Sequence, residues 1–314
     1  MEENFLSFNN IIGNDKNKVF LNKIVNSNNT VHSYMFEGIE GIGKSVFAKE
    51  FAKMLLCTGE NKTNCNGCKS CIEFNNDNNP DFMQIKPDGK AIKIEQIRQM
   101  QEKILEKPIV SDKKIYIIDD ADLMTKEAQN CLLKTLEEPP KYAIIILVLS
   151  NESKILNTVK SRCMRVFFEK IKGEELKKYS LEKFGENVIT ESMIENASGS
   201  IKKLIKIKDN FEEYEKLEEL AKKLQKDNIL DVINNADILY KNKEKVDDML
   251  DYMTTIFYNS FIKDTRNERF INVIKIIEEA KKRLKSNSNF DMTIDHLIFE
   301  IWGEINEDSN RSQV

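Results

Sequence analysis

An α/β domain built on a parallel sheet, followed by an all-helical second half, is the fold class this sequence predicts. Three observations predict it. Short apolar runs alternate with amphipathic stretches over residues 33–168. A glycine-rich loop of the phosphate-binding pattern joins the first apolar run to the first amphipathic stretch. Beyond Phe168 the apolar runs stop and charged, helically periodic sequence takes over. Alternation of strand and helix signals implies parallel strands, with crossover helices covering both faces of the sheet.

The elements follow in order. Residues 33–37, 82–86, 114–119, 143–150 and 164–168 read as strands, each a short apolar run. Residues 44–56 carry Phe47, Phe51 and Leu55 at helical spacing, and residues 94–106 carry Ile94, Ile97, Met100 and Ile104. Ala128, Leu132 and Leu136 make the same stripe over residues 126–136. Residues 172–208 read as short helices broken by a turn at Asn196-Ala197-Ser198-Gly199-Ser200. From Asp209 onward the helical stripes include Leu230, Ile233, Ile238 and Leu239, then Ile271, Val273, Ile274 and Ile277, with Trp302 near the end. The Asn-rich stretches 26–29 and 75–79 read as loops, and no internal repeat is evident.

Composition narrows the class. A chain of 314 residues with 40% hydrophobic residues suits two or three modules with buried cores. Charged residues make up 32% with both signs interspersed, and the net charge is -4, so any contact with nucleic acid is local or supplied by partners. The strongest apolar run, residues 143–149, is far too short to span a bilayer. The opening MEENFLSFNN lacks the basic-then-apolar pattern of a secretion signal, so the expected location is the cytoplasm. Thiols stay reduced there, and clustered cysteines point to a metal rather than to disulfides.

Three motifs carry chemistry. Gly38-Ile39-Glu40-Gly41-Ile42-Gly43-Lys44-Ser45 matches G-x-x-x-x-G-K-[ST] between a strand and a helix. Glycines let backbone N–H groups turn inward around phosphates, and the helix N-terminus adds positive potential. Lys44 would reach the terminal phosphates and Ser45 would ligate magnesium. The apolar run Lys114-Ile115-Tyr116-Ile117-Ile118 ends in Asp119-Asp120-Ala121-Asp122, the form of a Walker B segment. Asp119 would hold the magnesium and Asp120 would orient an attacking water; the bland alternative is an acidic strand cap. Cys57, Cys65, Cys68 and Cys71 follow C-x7-C-x2-C-x2-C, a spacing that suits a closed four-thiolate shell around structural zinc. The rival reading, a redox pair, lacks thioredoxin-like surroundings. Cys131 and His32 read as packing residues. Two further positions complete the candidate site. Asn151, at the end of the fourth strand, would sense a terminal phosphate, and Arg162 in Ser161-Arg162-Cys163 would point into a neighbour's nucleotide.

Taken together these residues resemble the AAA+ clamp-loader family. The matching pieces are Ile11-Ile12-Gly13, His32-Ser33-Tyr34-Met35-Phe36, the phosphate loop, the cysteine knuckle, Asp119-Asp120-Ala121-Asp122, Thr135-Leu136-Glu137-Glu138-Pro139-Pro140 and Ser161-Arg162-Cys163. The resemblance implies a RecA-like AAA+ domain with a zinc knuckle over residues 1–168, a small helical lid over 169–208 and a helical collar for oligomerisation over 209–314. It implies structural zinc, ATP with magnesium, and partners: a gamma/tau motor, a delta subunit and, through the complex, a sliding clamp and primer–template DNA. Within the family the chain is more similar to the stator, whose S-R-C arginine acts in trans, than to the ATPase motor, which stays the alternative. There are departures. Asp120 stands where the family usually has Glu, the gap after Cys57 is one residue shorter, and Lys202 replaces a sensor arginine whose bidentate phosphate contact a lysine cannot copy. They point to ATP binding more than to turnover. An unrelated P-loop ATPase or kinase with a zinc insert is the third reading, and T-L-E-E-P-P with S-R-C argues against it.

Overall fold

The computed structural model describes residues 8, 11–27, 29–63, 65–185, 189, 191–226, 228–286 and 288–311. They form two compact units. One runs to Tyr179 and takes in Gly199–Lys202, and the other comprises Ser180–Ser198 and the chain from Lys203 onward.

The first unit contains α1 (Asp15–Ser27), β1 (Ser33–Glu37), α2 (Lys44–Leu56), α3 (Lys69–Asn75), β2 (Phe82–Ile85), α4 (Ile94–Ile104), β3 (Lys114–Ile118), α5 (Lys126–Glu137), β4 (Ala143–Leu149), α6 (Asn157–Lys160) and β5 (Met164–Phe167). Among the described residues the strands make one parallel sheet in the order β2-β3-β4-β1-β5. Every residue of β1, β3 and β4 is buried, which is why these strands read as unbroken apolar runs rather than alternating ones.

Alternate residues serve the two faces. Met35, Tyr116, Ile118, Ile145 and Leu147 pack in one cluster with Ile97 and Met100 of α4 and Leu132 and Leu136 of α5. On the opposite face Tyr34 meets the edge of Phe51 on α2, with ring centroids 5.2 Å apart, and Phe36 and Phe47 both pack on Phe168. Burying a side chain of this size contributes roughly 1.5–3 kcal/mol, so α2, which follows the phosphate loop, is clamped to β1 by aromatic packing. Strand β5 forms an edge, with Met164, Arg165 and Phe167 exposed.

Helices complete the chain: α7 (Gly173–Phe184), α8 (Glu191–Ala197), α9 (Ile201–Asp209), α10 (Phe211–Leu224), α11 (Ile229–Asn235), α12 (Asp237–Lys241), α13 (Val246–Lys263), α14 (Arg269–Lys285) and α15 (Phe290–Arg311). The expected break at residues 196–200 is a turn in which Ser198 and Gly199 have φ of 51° and 84°. A Cβ on Gly199 would lie 2.7 Å from that of Lys170, so glycine is required there for space as well as for backbone conformation.

In the second unit Leu217 and Leu224 of α10, Leu250 and Phe257 of α13, Val273 and Ile277 of α14, and Leu297 and Ile301 of α15 are buried. A polar network lies beside them. Tyr252 donates to Glu218 at 2.7 Å, Asn196 donates to Tyr252 at 2.9 Å, and Asn259 donates to Asn196 at 3.0 Å. The expected stripe on α11 is displaced: Leu230 is 68% exposed, and Val232 and Ala236 are buried instead. Among the described residues no helix is long and apolar enough to cross a membrane.

Candidate nucleotide site, thiol cluster and surface arginine

The phosphate loop, Asp119 and Ser150 meet at the C-terminal edge of the sheet, because β1, β3 and β4 run parallel and all three segments follow a strand end. This edge is where open α/β sheets bind ligands. Gly43 caps α2, its carbonyl accepting from the Phe47 amide at 3.0 Å. Gly41 has φ of 79°, and a Cβ there would lie 2.3 Å from Ser200 Oγ and 2.5 Å from Lys202 Cβ. The loop is thus roofed by the segment after the 196–200 turn: the Lys202 amide donates to the Gly41 carbonyl at 3.3 Å, and the Lys202 ammonium pairs with Glu40.

Lys44 is buried at 5% exposure, and its ammonium donates to the carbonyls of Gly38 and Ile39, both at 2.7 Å, and to Ser150 Oγ at 3.1 Å. Burial lowers its pKa, opposed by the carboxylates of Asp122, Asp120, Glu40 and Asp119. Ser45 Oγ donates to Asp119, whose other carboxylate oxygen accepts from Gln84 Nε2 at 3.0 Å. A hydroxyl facing a carboxylate beside a helix N-terminus is the donor set a magnesium–phosphate ligand takes, so these residues fit that group. Asp120 stands in the left-handed region with φ of 50°. Its carboxyl is held above the ordinary value by burial, then by Asp119, Asp122 and Glu40.

Strand β4 delivers a neighbour of the residue expected from sequence. Ser150 meets Lys44, and its amide donates to Asp122 at 3.1 Å. The Asn151 side chain caps the following turn, accepting from the Ser153 amide at 3.0 Å and the Ser153 hydroxyl at 2.7 Å. Gln84 escaped sequence reasoning, although one polar residue inside Phe82-Met83-Gln84-Ile85 was the available signal. His32, expected to pack, is exposed; the following residue, Ser33, is the one turned inward.

The four cysteine sulfurs lie within 4.8 Å of one another, and Cys57 Sγ and Cys68 Sγ are 3.8 Å apart. Four thiolates at about 2.3 Å from a tetrahedral zinc would be spaced about 3.8 Å apart, so the cluster fits that ion. Cys57 caps the end of α2, Cys68 caps the start of α3 with its sulfur accepting from the Cys71 amide at 3.4 Å, and Gly59 donates to Cys57 at 3.3 Å. Lys69 and Ser70, between the last two of these cysteines, open α3. Burial pushes the Cys57 thiol up to about 11. At Cys68 burial also acts upward, but hydrogen bonds from Thr58 and Cys71 outweigh it and bring the thiol down to about 5. Cys131, expected in the core, is half-buried against it and donates to Gln101 at 3.2 Å.

Arg162 lies at the opposite edge of the sheet. It precedes β5, and its carbonyl accepts from Ser33 Oγ at 2.6 Å, beside the start of β1. The phosphate loop follows the end of β1, about 13 Å further along at about 3.3 Å per residue. The guanidinium is turned along its own surface instead: Nη1 donates to the Thr158 carbonyl at 2.8 Å and Nη2 to Glu137 Oε1 at 2.7 Å. The side chain is 34% exposed.

A family model described as DNA polymerase III, delta subunit, matches residues 13–172, half of the chain. DNA polymerase III subunit delta′ of Bacillus subtilis (strain 168) is 28% identical over 295 residues, covering 85% of this chain and 89% of that protein. DNA polymerase III subunit gamma/tau of Mycoplasma pneumoniae is 34% identical over 167 residues, 53% of this chain but 24% of that protein. This chain therefore spans about a quarter of the gamma/tau relative and most of the delta′ relative. Among solved structures, a DNA polymerase III gamma subunit-related protein of Thermotoga maritima is 18% identical with a TM-score of 0.48, covering 91% of this chain and 99% of that one. The matched span holds the phosphate loop, the thiol cluster, T-L-E-E-P-P and the S-R-C arginine, and on that match the chain belongs to the DNA polymerase III delta subunit family.

Proposed function

We propose that this chain is the delta-prime stator of a bacterial clamp loader, acting in the cytoplasm with gamma/tau motor and delta subunits to place a sliding clamp on primed DNA. By role it divides into an AAA+ domain at 1–168, a lid at 169–208 and a collar at 209–314. One observation carries the reading: Arg162 stands at the sheet edge away from its own phosphate loop, on a backbone fixed by Ser33 and with a half-exposed side chain. A guanidinium placed there serves a nucleotide held by a neighbouring subunit. The long match to delta′ supports the stator over the gamma/tau motor, whose match stops at about half of this chain.

The chain's own residues would hold ATP with magnesium through the loop amides of Gly38, Gly41 and Gly43, with Lys44 on the phosphates, Ser45 and Asp119 on the metal, and Lys202 and Asn151 at the rim. Bound there, the nucleotide would supply binding energy and order to the loop. The shorter side chain at Asp120 and the lysine at 202 favour binding over turnover. Zinc at Cys57, Cys65, Cys68 and Cys71 would supply a structural cross-link with no open position.

The test is a ranking in the reconstituted loader. Arg162→Ala is expected to abolish clamp- and DNA-stimulated hydrolysis at the neighbouring motor site, where such a group contributes roughly 10³–10⁵-fold. Lys44→Ala is expected to reduce the total rate far less. The opposite ranking would assign this chain to the motor class.

A further inference from the structure

We infer that Glu137, the last residue of α5, is the positioning residue for Arg162, holding its guanidinium in the orientation in which it is presented to the neighbouring subunit's nucleotide. The inference rests on the reading of Arg162 as a group that acts in trans. An exposed arginine samples many rotamers, and delivery in one geometry requires that they be restricted. Here two anchors restrict them. The Thr158 carbonyl accepts from Nη1 at 2.8 Å and Glu137 Oε1 accepts from Nη2 at 2.7 Å. Each bond uses one hydrogen of a five-donor fork, so three N–H groups stay available for phosphate oxygens.

Both anchors are themselves fixed. Thr158 lies on α6, and the Arg162 amide donates to the Val159 carbonyl at 3.1 Å. Glu137 follows buried Leu136, and the preceding Thr135 accepts from Gln101 Nε2 at 2.8 Å. Beyond it, Pro139-Pro140 ends the helix, and the Pro140 carbonyl accepts the Ala143 amide at 2.9 Å as β4 begins. The carboxylate itself is half-exposed, at 51%. An ion pair so exposed contributes little to folding, so its geometric effect on Arg162 is what a substitution removes.

The experiment measures clamp- and DNA-stimulated ATP hydrolysis by the complete loader assembled with Arg162→Ala, Glu137→Ala, Glu137→Gln or the double alanine variant. Glu137→Ala is expected to lower kcat by about 10- to 100-fold, the size of effect a misplaced reacting group produces, with KM for ATP unchanged. Glu137→Gln, which keeps the acceptor, is expected to restore most of the rate. The double variant is expected to be no slower than Arg162→Ala alone, because residues acting as a unit are not additive. If Glu137→Ala impairs assembly, Glu137→Asp withdraws the carboxylate by one methylene and replaces it in the series. A normal or faster rate in Glu137→Ala loaders, alongside a collapsed rate in Arg162→Ala loaders, would overturn the inference and leave the trans arginine standing. Multiplicative losses in the double variant would overturn it as well. An unchanged rate in Arg162→Ala loaders would instead defeat the trans reading on which the inference depends.

Discussion

Glu50 shows what a single buried group does to this protein. It sits on α2 at 5% exposure, and burial pushes its carboxyl up to about 7, with Lys53 acting in the other direction. In the unfolded chain the group ionises near the ordinary value, so between the two values the folded state retains a proton that the unfolded state has lost. The stability this proton contributes is complete below about pH 4.5 and is lost as the pH rises through about 7, at most about 3 kcal/mol for a shift of this size. Glu50→Gln is therefore expected to raise the urea midpoint at pH 8 and leave it nearly unchanged at pH 4.5. Equal effects at both pH values would mean that Glu50 is not protonated in the fold. Legibility at this scale follows sequence distance. Lys44, Ser45 and Asp119 could be read from local patterns. Two partners of Arg162 could not, since Glu137 lies 25 residues away and Ser33 lies 129 away, and only tertiary packing brings them together.

Among the elements, β1, β3 and β4 were legible because burial on both faces writes itself as apolar runs, and the expected spans differ from β1–β5 by no more than one residue at an end. The α11 stripe was misread because one helical turn offers several apolar residues, and packing in the second unit, which buries Val232 and leaves Leu230 exposed, makes the choice. The thiol cluster was legible as four cysteines, but the caps that Cys57 and Cys68 give to α2 and α3 were not. Through those caps a metal held by the four thiols would be tied to helix ends. A chelator is thus expected to release about one zinc per chain and to speed hydrogen exchange in residues 57–75, while the amides of β3 and β4 stay protected. Unchanged exchange after zinc release would show that the cluster does not hold these helix ends. The segment is also pinned from another side, where Ser70 Oγ lies 3.0 Å from Ser111 Oγ and Asn79 Nδ2 donates to the Ser70 carbonyl at 3.0 Å.

For the molecule as a whole, the α/β first half and helical second half were legible from where strand signals stop. The membership of Gly199–Lys202 in the first unit was not, because a four-residue return leaves no compositional trace. A fragment ending at Tyr179 lacks Ser200 and Lys202, and is expected to keep its sheet, seen by circular dichroism, while binding nucleotide more weakly than the full chain. Equal affinity would show that the roof is dispensable. That return also orders events during synthesis. Lys202 leaves the ribosome 162 residues after its partner Glu40, a delay of roughly 8–30 s at ordinary elongation rates. For that interval the nascent chain carries a glycine loop whose cover is still untranslated.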